Sequence, residues 1–318
     1  GFVSAWLAIR ARPDSADGST IRINGDVVEV GKSVSSKTAR RVAVVISLIV
    51  GVIFGSQFNA NWSEILLMFN AQSFGTTDPQ FGLDNGFYVF VLPGLKLVLA
   101  AVAMLLGVGL VFSVVTHVLM GGIRITMPVN GRGLFSITKR CRRQLGIWLM
   151  LNMFAWAVRQ MIGVFDQLTV QGSRITGASY TAVHANIPVT FIMAALTAIL
   201  GVVLGIWLMR SHTLEGQASI GVRASAALKA WRVPVTSIAV VVVVGLVLTV
   251  AWPVLLQRFR VNPNAQEMES TYIQRNIDAT RAAYGLDKLK TEQYKVTDKG
   301  EQGALAKEGD TTAQIRLL

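Results

Sequence analysis

The stretch that decides the fold is Leu95-Lys-Leu-Val-Leu-Ala-Ala-Val-Ala-Met-Leu-Leu-Gly-Val-Gly-Leu-Val-Phe-Ser-Val-Val-Thr-His-Val-Leu-Met120. Its one formally charged residue is Lys96, at the very start. An α-helix rises about 1.5 Å per residue. A bilayer has roughly 30 Å of hydrocarbon and needs about 20 mainly apolar residues to cross it. A run this long and this apolar predicts a membrane helix. Four more follow the same pattern, near 42–58, 145–164, 187–209 and 235–256. Residues 1–9 add the end of an earlier one. The expected fold is all-α, a polytopic helical membrane bundle of five full spans plus a stub. Pro93, Pro188 and Pro234 are expected just before or inside the first turn of a span, where a missing N–H costs nothing.

Composition agrees with this class. Of the 318 residues, 52% are hydrophobic and only 15% charged, against roughly 25% charged in an average soluble domain. That excludes a disordered chain and an ordinary soluble enzyme. The net charge of +12 does not signal nucleic acid, because the basic residues cluster beside apolar runs, as topology signals do. A single cysteine, Cys141, excludes an internal disulfide and a multi-cysteine metal site. His117, His184 and His212 lie in three separate segments without metal-ligand spacing.

Loops 10–41, 121–144 and 210–232 carry seven, six and four Lys or Arg, whereas loops 59–92 and 165–186 together contain only Arg174. By the positive-inside rule the three basic loops are expected in the cytoplasm and the rest outside, together with everything after Leu256. The expected location is the plasma membrane, with several passes. The chain begins without Met or a basic n-region, so no signal peptide is read there, and it is expected to be a piece of something longer at both ends.

The chain divides into a helical domain at 1–256, a helix segment at 257–294 and an exposed linker at 295–318. Ile21–Val30 places Asn24-Gly25 between two alternating runs, which reads as a β-hairpin or as a flexible loop. Trp62–Phe69 is amphipathic and suits an interface. Helix 265–284 opens at Asn264 and closes before Gly285, with Ile273, Ile277, Thr280 and Tyr284 expected to form its buried face. Trp62, Trp148, Trp231 and Trp252 suit an aromatic belt. Gly51–Gly55 and Gly201–Gly205 are GxxxG patterns that permit close helix contact.

Candidate functional residues are few. Arg159 is the one basic residue in the interior of a span; it either lines a pathway or snorkels to headgroups or pairs with Asp166. Asp78 and Asp84 on one loop could perform acid–base chemistry or hold a hard cation, or cap and close turns, with Thr77 capping a short helix that starts at Asp78-Pro79. No phosphate-binding loop, zinc-protease helix or nucleophile elbow is present.

Three strings carry a resemblance. They are Thr77-Asp78-Pro79-Gln80-Phe81-Gly82 with Gly86-Phe87-Tyr88-Val89-Phe90-Val91-Leu92-Pro93; Gly177-Ala178-Ser179-Tyr180-Thr181 with His184-Ala185-Asn186-Ile187-Pro188; and Asn262-Pro263-Asn264 with Glu269, Tyr272-Ile273, Arg275-Asn276-Ile277, Thr280-Arg281 and Ala283-Tyr284-Gly285-Leu286. The pattern resembles uncharacterised protein family 0182, large bacterial membrane proteins. The resemblance implies an N-terminal bundle of about seven helices, a much larger extracytoplasmic part, and no activity to carry over. Ala182, where the pattern has Asp, and loop 13–36 depart from it.

These readings nominate Asp78, Pro79, Gln80, Phe81, Asp84, Arg159, Asp166, Tyr180, Tyr272, Arg275, Asn276, Arg281 and Tyr284 as interaction or structural residues. No catalytic, cofactor or metal residue is nominated. Expected partners are membrane lipids, envelope proteins and the protein's own extracytoplasmic part, with no nucleic acid. The leading functional expectation is a membrane anchor and docking platform in an envelope assembly. A transporter or channel component is the second, and an outer-surface enzyme on lipid or cell wall, using Asp78 and Asp84, the third.

Overall fold

The computed structural model describes residues 3, 6, 19–23, 26–30, 36–119, 123–125, 135–170, 176–211, 220–286 and 289. The Asn24-Gly25 turn, most of the stub at 1–9 and the linker at 295–318 lie outside these. Helices carry the fold: α1 (Ser36–Ala60), α2 (Trp62–Phe69), α3 (Leu92–Leu119), α4 (Lys139–Gly163), α5 (Ile187–Arg210), α6 (Ile220–Leu246), α7 (Trp252–Leu255) and α8 (Ala265–Ala283). Two short antiparallel strand pairs sit in the basic loops. β1 (Ser19–Ile23) pairs with β2 (Asp26–Val30), Ile21 opposite Val28. β3 (Ile123–Ile125) pairs with β4 (Phe135–Ile137), Arg124 opposite Ser136. The chain divides into two compact units, Gly1–Arg275 and Asn276–Leu318.

Among the described residues, four continuous helical stretches are long and apolar enough to cross a membrane: Phe87–Leu119, Lys139–Leu168, Ala182–Arg210 and Trp231–Val261. Each overruns the apolar run that predicted it, because polar and aromatic turns continue the helix past its greasy centre. In α1 the described apolar part is Val44–Ile53.

Three of these stretches, all but Lys139–Leu168, share a device. Wide, i→i−5 bonded π turns occupy Phe87–Val91, Ala182–Asn186, Val247–Ala251 and Leu256–Val261. Each ends two residues before a proline: Pro93, Pro188, Pro253 and Pro263. The N–H of the intervening residue, Leu92, Ile187, Trp252 or Asn262, reaches back five residues, to the carbonyl of Phe87, Ala182, Val247 or Gln257. A proline ring clashes with the carbonyl four residues back and offers it no N–H. Widening the turn ahead of the ring relieves the clash. Pro93 and Pro188 are the second residues of α3 and α5, in the first α-helical turn as expected, each with a wide turn continuing the helix ahead of it. Pro234 corrects the expectation, because it lies inside α6, which begins at Ile220.

Helix α4 is the hub. Against α5 it packs through glycine: a Cβ on Gly205 would lie 2.2 Å from Met150 Cγ, and one on Gly201 2.4 Å from Met153 Cβ. Gly51 and Gly55 meet nothing within 4 Å. Against α3, the Trp148 ring fills the space that Gly109 leaves, 2.6 Å from where a Cβ would be. Trp148 is thus an interhelix wedge. Carboxamides wind along α4 and its short 3₁₀ extension, Val164–Leu168. His117 Nε2 in α3 lies 3.0 Å from Gln144 Oε1, and Asn152 Nδ2 donates to the Leu106 carbonyl of α3 at 3.1 Å. Gln160 Nε2 donates to Thr197 Oγ1 of α5 at 3.2 Å, and Gln167 Oε1 accepts from Asn186 Nδ2 at 3.3 Å. At 3.6 residues per turn an eight-residue step advances about 80° around the helix. The stripe therefore turns from α3 to α5 as it climbs.

The basic end closes on Ile123, Ile137, Cys141 and Leu145, with Leu110 and Leu208 against them. Arg142, 1% exposed, donates Nη1 to the Ser211 carbonyl at the end of α5. A cation there meets the negative pole of that helix.

Candidate functional site

The opposite end of the bundle gathers most of the nominated residues. Loop 70–86 is built around two carboxylates. Asp78 Oδ1 accepts the N–H groups of Gln80 and Phe81, both at 2.7 Å. Its Oδ2 accepts Leu83 N–H at 3.0 Å and the Tyr88 hydroxyl at 2.7 Å. Asp84 Oδ1 accepts Phe74 N–H at 3.0 Å and Gly86 N–H at 2.6 Å, while its Oδ2 accepts Ser73 Oγ at 2.5 Å and Gly75 N–H at 3.1 Å. Thr77 pairs with Asp84 in an isolated bridge. The expected helix at Asp78-Pro79, capped by Thr77, is instead an Asx-type turn that Asp78 closes itself.

Both carboxyls are held below the usual range. Burial opposes the charged form of Asp78, but the Phe81 N–H, the Tyr88 hydroxyl and the Gln80 and Leu83 N–H groups together outweigh it. The Ser73 hydroxyl, then the Phe74 and Gly86 N–H groups, bring Asp84 to about 2. A carboxylate held ionised by four donors is a structural tie, a poor proton donor at neutral pH. Two glycines admit the path: Gly75 and Gly82 have φ of +69° and +68°. Gly86 admits the close approach, since a Cβ there would lie 2.1 Å from the Gln72 carbonyl oxygen.

Phe165, on the 3₁₀ extension of α4, is the aromatic hub. It meets Phe81 at 5.0 Å, Phe87 at 5.3 Å and Tyr88 at 6.2 Å, all edge to face. Beside it Lys96 donates to both oxygens of Asp166, at 2.8 and 2.9 Å. Asp166 is thus tied by α3 and not by Arg159, which lies on the exposed side of α4.

The second cluster joins loop 176–186 to α8. Glu269, buried, accepts the Tyr180 N–H at 3.1 Å. The Tyr180 ring stacks on His184 at 4.0 Å and meets Tyr272 edge-on at 6.2 Å. Arg275 Cζ lies 5.5 Å over the Tyr272 ring, and burial pushes the Tyr272 hydroxyl above its ordinary pKa. Thr181 Oγ1 donates to Gln257 Oε1, and Gln257 Nε2 donates to Asn262 Oδ1 at 3.0 Å.

The buried face of α8 differs from expectation. It centres on Glu269 and Tyr272, with Met268 and Ile273 half-buried, while Ile277, Thr280 and Tyr284 are exposed. A carboxylate that finds an N–H and an aromatic wall outcompetes isoleucines with nothing to cover them. Asn276, Arg281 and Tyr284 belong to the second unit, where Asn276 accepts the Thr280 hydroxyl at 2.8 Å and Gly285, at φ +68°, ends the helix as its spacing predicted. Pro79 is exposed. Phe165 and the carboxamides of α4 escaped the sequence reading, and Glu269 entered it only as part of the third string, without a site role. A period of seven to eight residues in Gln144, Asn152, Gln160 and Gln167 was the available signal; Phe165 had none. Among the described residues no group of three or more His, Cys, Asp or Glu could hold a metal ion.

A bundle with four helices long enough to cross a membrane, capped at one end by loops knitted through carboxylates and aromatics, is the class the geometry defines. The chain belongs to the Uncharacterised protein family (UPF0182), whose pattern it matches over residues 1–318. It is 78% identical over 318 residues to a UPF0182 protein of Bifidobacterium adolescentis, covering 100% of this chain and 29% of the relative. It is 35% identical over 320 residues to one of Kocuria rhizophila, again 100% of this chain and 29% of the relative. It is 32% identical over 324 residues to UPF0182 protein DIP0733 of Corynebacterium diphtheriae, covering 100% and 30%. The chain thus spans under a third of the length of these relatives. No solved structure matches it.

Proposed function

We propose that this chain is the multi-pass plasma-membrane base of a larger envelope protein, and that the knitted loop end is an extracytoplasmic platform on which the rest of that protein docks. The observation that carries the reading is the tying of four separate segments at one end. Phe165 joins loop 70–91 to the end of α4, and Glu269 joins loop 176–186 to α8. Held in this way, the end offers a stiff surface. Exposed apolar side chains around the bundle, such as Phe154 at 62% and Val243 at 59%, need a cover that lipid supplies. The relatives' additional length, more than twice that of this chain, supplies the occupant of the platform. Lys and Arg distribution orients it: the loops around Gln80 face outward and those around Arg140 face the cytoplasm. In this frame α1 is a fifth span, and α2 lies along the outer interface with Trp62, Leu66 and Phe69 in the lipid.

Single cysteines at Gln80 and Arg140, in a protein with Cys141→Ala and any cysteine outside these 318 residues also replaced, test the orientation in intact cells. A membrane-impermeant maleimide labels Gln80→Cys and spares Arg140→Cys; the reverse pattern overturns the topology. Docking is tested by limited proteolysis of the full-length protein. Wild type retains its C-terminal part on the membrane after cleavage at a protease site inserted within residues 295–318, and Tyr180→Ala with Glu269→Ala releases it. Equal retention in both would show that the knitted end is not what holds the C-terminal part, and would overturn the platform.

A further inference from the structure

We infer that the basic end of the bundle holds an anionic phospholipid headgroup, at a site made by Lys139, Arg140 and Arg143 of α4 with Arg210 of α5 and Arg232 of α6. This rests on the membrane reading and adds a lipid class to it. All five cations are exposed. The first turn of α4 holds no acid, and Lys139, Arg140 and Arg143 have no ion-pair partner among the described residues. Three like charges are thus packed on a helix start whose own dipole is positive, an arrangement that repels itself unless an anion offsets it.

Arg142 does not share this role. Its guanidinium is buried on the Ser211 carbonyl, which joins the start of α4 to the end of α5 and brings Arg210 to the same end. A second, independent observation points to lipid there. Trp207 and Trp231 pair at 5.3 Å across α5 and α6, one turn before Arg210 and next to Arg232 in sequence. Indole rings favour the depth of the headgroups, so the ring pair and the guanidinium groups match the two halves of a lipid, glycerol backbone and phosphate. A diffusible anion would use the cations and ignore the rings.

The test is lipid retention. Full-length protein is purified from membranes, exchanged into mixed micelles containing equal phosphatidylglycerol and phosphatidylcholine, and examined by native mass spectrometry. Wild type should keep phosphatidylglycerol over phosphatidylcholine by roughly tenfold, with the preference falling at about 0.5 M salt. Lys139→Gln, Arg140→Gln and Arg143→Gln together should abolish the preference. Arg140→Lys with Arg143→Lys should keep most of it, which guards against a folding defect. Arg258→Gln with Arg260→Gln, removing charge at the other end, should leave it unchanged. Inorganic phosphate at the same concentration should not compete. Equal retention of both lipids by wild type, full preference in the triple Gln variant, or displacement by phosphate would each overturn the site. A protein that stays soluble without detergent would instead overturn the membrane reading itself.

Discussion

Asp78 and Asp84 look alike in sequence and act alike in the structure: each gathers four donors from its own loop. Replacing Asp78 by Ala orphans three N–H groups and a hydroxyl, and the buried part of that loss should cost about 1–3 kcal/mol, read as a lower midpoint in thermal unfolding. Asp78→Asn, which keeps an acceptor, should cost less. Both pKa values are depressed in the folded state, so the stability each carboxylate contributes is complete above its unfolded value near 3.9. It disappears as pH falls through the folded value, about 2 for Asp84. Fluorescence of Trp62, eight residues before the loop begins at Asn70, should therefore be flat from neutral pH down to about 4 and change only below it. A transition centred near pH 6 would assign the loop to histidine instead. Gly86→Ala should be worse tolerated than Gly75→Ala despite the positive φ of Gly75. A Cβ at Gly86 strikes the Gln72 carbonyl at 2.1 Å, whereas one at Gly75 meets nothing within 4 Å.

Two GxxxG motifs of equal standing in the sequence part company at the level of the helix. Gly205→Ala must push Met150 aside and separate α4 from α5, with an expected cost of about 1–3 kcal/mol. Gly51→Ala enters open space and should be neutral or slightly stabilising, by up to about 1 kcal/mol, because alanine is the better helix former. Unfolding in detergent compares them directly; equal effects would mean that the α4–α5 seam is looser than its glycines imply. The carboxamide stripe of α4 is glue of modest strength. A double-mutant cycle on Gln160 and Thr197 should return a coupling near 0.6 kcal/mol, the usual scale for interhelix hydrogen bonds in lipid. Proline sets the wide turns. Pro188→Ala removes the clash that keeps Ala182–Asn186 wide, so that segment should tighten to an ordinary α-turn and pull Tyr180 off Glu269. Hydrogen exchange at the Tyr180 amide should then speed up, although the substitution is helix-favouring.

At the scale of the molecule the two ends divide the labour. One end is knitted by ionised carboxylates and edge-to-face rings, the other by a buried guanidinium and a small apolar cluster beneath exposed cations. The Glu269–Tyr180 tie is the link between α8 and the bundle that a single change should sever. Glu269→Ala should raise exchange in both 176–186 and 257–275 while leaving α4 and α5 protected, whereas Glu269→Gln should hold. Uniform loosening of all helices by Glu269→Ala would show that α8 belongs to the core rather than to a cap. Arg159, exposed on α4, should tolerate Arg159→Lys and Arg159→Gln with little change in unfolding midpoint; a large loss would require it to face inward.

The helical class was legible in the sequence alone because hydrocarbon imposes it: a backbone without water must bond to itself over some twenty residues, and the apolar runs record that demand directly. The end of α8 at Gly285 was legible for a similar local reason, since only glycine takes the positive φ there without strain. What the tertiary structure decided is which equal candidates matter. Gly201 and Gly205 meet a neighbour and Gly51 and Gly55 do not. Lys96, not Arg159, reaches Asp166. Glu269, not Ile277, is covered. Each of these depends on what stands across a gap from a residue far away in the chain, and periodicity describes only the residue's own side of that gap.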